Sequence, residues 1–322
     1  MINMDSPESA CCILVHCFKE STLSSVSTPP RAGKRSLWIE TLPLLAFPAL
    51  AIAVQSRLPA WLFMWALSFA IFAGLKWMTW WKARPHVAHG AGRSFAYLLA
   101  WPGMDAETFL DADERPVKPK AREWVWAVVK TALGVGLLWL VARHVPEQDD
   151  LLRGWIGLLG LIFLLHFGSF HLIALFWQAV GIAAEPIMSR PILSKTLSEF
   201  WGKRWNLGFR QLAHDLIFRP LHKRTGVAAA GLLVFVASGL IHDLVISLPA
   251  RGGYGLPTGY FILQGVGVTL ERSRLGRQLG LQSGTAAWIF MVIVTAGPAF
   301  WLFHPPFVLR VILPFMRAVH AL

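Results

Sequence analysis

VAAAGLLVFVASGLIHDLVISLP, residues 227–249, is the stretch on which the reading of the fold turns. It is long enough to cross a hydrocarbon core, which takes about 20 residues as a helix. A carboxylate at the centre of such a helix costs on the order of 2.5–3.5 kcal/mol on insertion scales, so the His242–Asp243 pair marks a functional site. Ser238 lies four residues before His242 and shares its helical face, whereas Asp243 is turned about 100° away. Ser238 can hold the ring or bond the backbone, and the imidazole of His242 can accept a proton near neutral pH. The plainer alternative is a core histidine bonded to a neighbouring helix. It loses ground because Asp243 sets a second ionisable group at similar depth, and a protein cavity or water path is expected around the pair.

Outward from this run the composition is that of a membrane protein. Of the 322 residues 55% are hydrophobic and 15% charged, and mean hydropathy is +0.51. Soluble domains carry about a quarter charged residues. Further apolar stretches fall at 37–54, 59–81, 124–142, 154–181, 256–270 and 286–303, with another at 307–322. They are too long and too uniformly apolar for barrel strands, and lipid leaves backbone polar groups no partner but the chain itself. The expected fold class is therefore all-α: a polytopic integral membrane helical bundle of about 7–9 transmembrane or re-entrant helices, with amphipathic cytoplasmic loop helices. One transmembrane domain is expected over 37–322, preceded by a mobile cytoplasmic tail over 1–36 whose stretch 21–30 is rich in Ser and Pro.

The formal charge of +12 does not point to nucleic acid, because the basic residues collect in two loops, 82–123 and 182–226. Both belong on the cytoplasmic face by the positive-inside rule, which also gives a cytoplasmic N-terminus, in the plasma membrane if the cell is bacterial. Tryptophans at span ends, such as Trp80, Trp81, Trp124 and Trp126, suit interfacial belts. Cys11, Cys12 and Cys17 precede the first span and read as free thiols.

The second loop is too long and aromatic for a solvated linker. Within it stands SEFWGKRWN, residues 198–206. The Asn206 amide can orient a reactant or donate to a developing oxyanion, and Lys203, Arg204 and Arg210 supply positive charge where a phosphate-bearing donor would arrive. A plain lipid-phosphate contact is the alternative for each of these cations taken singly. Glu199 and Asp215 read as solvated rather than paired. In the first loop WPGMDAETFL (101–110) reads as a Pro-Gly turn docking a surface helix. His166 and His171, five residues apart, point in different directions around a helix and read as packing or tunnel-lining residues ahead of direct participants. No histidine spacing matches a di-iron box and no metal site is expected; His86 and His89 stand alone.

SEFWGKRWN followed by a helix bearing SGLIHDL resembles the membrane-bound O-acyltransferase superfamily, specifically its wax synthase branch, whose pattern is close to FWGRRWN with a later SGLxHE. WPGMDAETFL and the intramembrane HFGSFHL carrying His166 and His171 match the same branch. The chain departs from the pattern at Asp243, where Glu is usual. The resemblance implies acyl transfer from acyl-CoA, as co-substrate and with no bound cofactor, to the hydroxyl of a lipophilic alcohol. His242 would be the general base, and Asn206 would position the thioester or steady the oxyanion. Trp201, Lys203, Arg204, Trp205, Arg210 and Ser238 would contact substrate or acyl-CoA, with His166, His171 and Asp243 along the tunnel. The expected partners are acyl-CoA, a lipophilic alcohol and membrane lipids; no obligate protein partner is evident. Wax ester formation from a fatty alcohol is the first expectation, and acylation or acetylation of a sterol, diacylglycerol or lipophilic secondary metabolite the alternative. A proton-coupled transporter using His242 and Asp243 is the rival of another class; the paired broken helices that many transporters show are not apparent.

Overall fold

Apolar sequence without alternation folds here as helix throughout, and no strand occurs among the described residues, which run from 34 to 322 in this computed structural model. The chain divides into two units, Met1–Trp38 and Ile39–Leu322. The expected tail and the three cysteines lie outside the described residues, apart from the start of α1 (Lys34–Ala53). Then follow α2 (Ala60–Ala83), α3 (Ala91–Ala100), α4 (Ala121–His144), α5 (Glu147–Ala179), α6 (Leu207–Ala213), α7 (Val227–Ala250), α8 (Leu256–Arg272) and α9 (Gly284–Leu302). Five of these, α2, α4, α5, α7 and α9, are long and apolar enough to cross a membrane. The stretches expected at 37–54, 256–270 and 307–322 are helical but shorter or broken into short turns. The protein is a helical integral membrane protein, with five helices of full spanning length among the described residues.

Helices in lipid gain nothing from burying apolar surface against one another, so close approach through small residues has to hold them together. In the α4–α5 hairpin a Cβ on Gly134 would meet the Leu164 nitrogen at 2.4 Å, and one on Gly160 the Leu138 nitrogen at 2.9 Å. Between α7 and α8 a Cβ on Gly239 would meet Thr258 Cα at 2.7 Å. Beside these contacts Leu138, Leu158, Leu161, Ile246, Phe307, Ile312 and Met316 form one apolar cluster that gathers α4, α5, α7 and the C-terminal segment.

Trp101, Gly103 and Met104 of the WPGMD turn are buried, and Asp105 is exposed. Lys76 on α2, 1% exposed, donates from Nζ to the Gly103 carbonyl at 2.8 Å and lies 3.0 Å from the centroid of the Tyr97 ring. The Tyr97 hydroxyl donates to the Met104 carbonyl at 3.1 Å. A Cβ on Gly208 would come within 3.1 Å of the Met104 nitrogen, so the turn rests on α6 two residues beyond Asn206. A Pro-Gly turn docking a surface helix was expected; its tie to a buried lysine was not.

Candidate active site

The island 198–206 begins as a capped helical turn. Thr196 accepts the Glu199 N–H through its hydroxyl at 3.0 Å, and the Glu199 carboxylate accepts the Lys195 N–H at 2.7 Å, close to the reciprocal pattern of a capping box. Glu271, buried at the end of α8, accepts the Leu197 N–H at 2.6 Å, a carboxylate set against a helix N-terminus. The chain then widens into a π turn over Phe200–Arg204, a form often found at functional sites. Asn206 follows in the left-handed region at φ 43°, which Asn tolerates better than most residues. Its Oδ1 accepts the Phe209 N–H at 3.4 Å and caps α6. Oδ1 is thereby held by the cap, and among the described residues Nδ2 donates to no protein group.

The two island cations and Arg210 of α6 do not behave alike. Arg204 is paired with Glu199 at 2.6 Å and donates to the Ser189 carbonyl at 3.3 Å. Arg210 donates to the Gly202 carbonyl at 2.7 Å. Lys203 is exposed, and among the described residues it pairs with no carboxylate. The expectation that Glu199 is solvated is corrected here. Burial works to raise its carboxyl, but the Lys195 N–H and the Arg204 guanidinium outweigh that and hold it below the ordinary carboxylate value. Asp215 likewise bonds Gln211 at 3.0 Å and His214 at 3.1 Å; those bonds outweigh its burial and lower its carboxyl.

His242 donates from Nδ1 to the Ser238 carbonyl at 2.6 Å. A carbonyl can only accept, so Nδ1 carries the hydrogen of the neutral ring and Nε2 presents its lone pair. Ser238 thus holds the ring through its backbone, the second of the two ways open to it. Among the described residues Nε2 bonds no protein group. The ring packs on Phe261 of α8 with centroids 4.4 Å apart, and Phe261 lies 5.7 Å from Trp201. Trp201 in turn donates from Nε1 to Gln264 at 3.2 Å and meets Phe235 of α7 at 5.7 Å. Trp205 stacks on Phe200 at 5.3 Å and reaches Phe167 of α5 at 6.1 Å. A continuous run of aromatic rings therefore joins α5, the island, α8 and His242.

Asp243 is met by protein donors rather than by a water path. Its oxygens accept from Ser247 Oγ at 2.8 Å, Gly255 N at 2.9 Å, Thr258 N at 3.0 Å and the Thr258 hydroxyl. His166 sits in the π turn Phe163–Ser169 with its Nδ1 buried and, among the described residues, without a partner, and it packs on Phe170. His171 bonds Lys130 at 2.9 Å. Among the described residues no group of three or more His, Cys, Asp and Glu could hold a metal. Phe261, Gln264 and Glu271 are the site residues that the sequence reading passed over. Gln264, fully buried, also donates to the Val294 carbonyl at 2.7 Å and so joins the island to α9. The available signal was a Gln and a Glu seven apart in the apolar stretch of α8, which places them on one face.

Residues 184–263, which hold both the island and His242, match the Membrane bound O-acyl transferase family. The chain is 31% identical over 147 residues to the long-chain-alcohol O-fatty-acyltransferase of Simmondsia chinensis, covering 40% of each protein. It is 32% identical over 146 residues to the Arabidopsis thaliana protein named probable long-chain-alcohol O-fatty-acyltransferase 2, covering 41% of each. The matched stretches span about two fifths of these relatives' length. They put the 184–263 segment in the membrane bound O-acyl transferase family and this chain beside its wax synthase-like branch.

Proposed function

We propose that the protein transfers an acyl group from acyl-CoA to the hydroxyl of a lipophilic alcohol, with a long-chain fatty alcohol as acceptor. The observation that carries this reading is His242, fixed through Nδ1 with its Nε2 bonded to no protein group among the described residues, beside an aromatic run that leads to Asn206. Nε2 takes the proton of the alcohol as its oxygen attacks the thioester carbonyl. Asn206 Nδ2 donates to the oxygen that becomes negative in the tetrahedral state. The carbon–sulfur bond then breaks, and the thiolate leaves as free CoA with the proton held on Nε2. Trp201 and Trp205 line the acyl path, His166 and His171 stand along it, and apolar surroundings limit hydrolysis.

Lys203, Arg204 and Arg210 bring positive charge to the CoA phosphates, with the Lys203 ammonium the least committed to the fold. That end of the molecule faces the cytoplasm in this reading, as does the N-terminus. The acceptor follows from what the relatives are named for. Asp243 is saturated by protein donors, which speaks against its acting as a transport relay. The test is an acyl-transfer assay on purified protein with acetyl-, octanoyl- and palmitoyl-CoA against fatty alcohols, sterols and diacylglycerol. Ester from a fatty alcohol and a long-chain donor is the expected product. Ester from a sterol or diacylglycerol alone would keep the reaction and replace the acceptor, and no ester from any pair would overturn the reading.

A further inference from the structure

The mechanism above leaves a second buried histidine unused. His304 is 0% exposed and lies at the start of the C-terminal segment. Its Nδ1 accepts the Phe307 N–H at 3.2 Å, so in the neutral ring Nε2 carries the hydrogen. Ser247 Oγ lies 3.2 Å from that Nε2 and donates its own hydrogen to Asp243 Oδ1 at 2.8 Å. The chain of donors thus runs one way, from His304 to Ser247 to Asp243. This order is the reverse of a nucleophilic triad, in which the histidine would accept from serine. Gly253 at φ 71° permits the arrangement, because a Cβ there would lie 2.4 Å from the His304 ring.

The other donors to Asp243 decide what the chain of bonds is for. Gly255 N, Thr258 N and the Thr258 hydroxyl belong to the N-cap and first turn of α8, so the carboxylate clamps the start of that helix onto α7 one residue after His242. Thr258 is three residues before Phe261, whose ring packs on the His242 imidazole. The π turn Asp243–Ser247 widens the helix immediately beyond His242 and places Ser247 on Asp243.

We propose that Ser247 and His304, acting through Asp243, are positioning residues for His242: together they form a buried latch that fixes the α7–α8 contact and hence the direction of Nε2. The inference rests on the general-base reading of His242. Full-length Ser247→Ala and His304→Ala should each lower kcat about tenfold or more while KM for acyl-CoA and alcohol stays within about twofold, the pattern of a misaimed catalytic group. His304→Gln, whose amide nitrogen donates from the place of Nε2, should recover most of the lost rate. Independently of activity, amide hydrogen exchange over 251–261 should accelerate in both alanine variants, because the Gly255 and Thr258 N–H groups lose a fixed acceptor. Wild-type kcat in both alanine variants, or unchanged exchange in that segment, would overturn the latch. If wild-type protein forms no ester with any acceptor, the functional reading fails and exchange alone decides whether the latch exists.

Discussion

Asn206 does two things with one amide. Oδ1 caps α6, and in the proposed mechanism Nδ2 donates to the oxyanion. Asn206→Asp keeps an acceptor for the Phe209 N–H but removes the donor, so the protein should fold while kcat falls about 10²- to 10³-fold, the range for loss of an oxyanion donor. Steady-state kinetics of that variant separate cap from catalyst; an unchanged kcat would leave Asn206 only the cap. Glu199 makes a prediction in pH. Its folded value is depressed, so its contribution to stability is present above the unfolded carboxyl value of about 4.3 and is lost as pH falls through the folded value. Thermal unfolding in detergent should therefore show Glu199→Gln less stable than wild type near about pH 7, with the gap closing below about pH 4. His242, Asn206 and the island were legible in the sequence because polar groups stand out against apolar or interfacial surroundings. The division of labour among Lys203, Arg204 and Arg210 was not, since only distance distinguishes a paired guanidinium from a free ammonium.

At the scale of elements, the site depends on how closely α7 and α8 approach. Gly239 has no room for a methyl group, with Thr258 Cα at 2.7 Å from an added Cβ. Gly239→Ala should push the helices apart, lower thermal stability by roughly 1–3 kcal/mol as overpacking does, and loosen Phe261 from His242. Differential scanning fluorimetry on solubilised protein checks the first effect and turnover the second. The sequence announced α7 through its length and α5 through its apolar run, but it undersold α8. Apolar count alone reads 256–270 as one more span, whereas Gln264 and Glu271 make α8 the support of the island through Trp201 and the Leu197 N–H. The π turns were equally illegible, because one extra residue in a helical turn leaves the apolar period almost unchanged over so short a stretch.

Across the whole molecule, residues distant in sequence are tied to the site by buried polar contacts rather than by apolar packing alone. Lys76 on α2 holds the WPGMD turn, which rests on Gly208 next to Asn206. Lys76→Met fills similar volume but leaves the Gly103 carbonyl unpaired, so stability should fall by about 1–3 kcal/mol, seen as a lower melting temperature in detergent. The account as a whole depends on His242 as the base. The most direct measurement is ester formation from long-chain acyl-CoA and fatty alcohol by purified wild-type protein and His242→Ala side by side, with gel filtration to show that both are folded. A loss in kcat of about a hundredfold or more is predicted for the variant. Near wild-type turnover in folded His242→Ala would contradict the account.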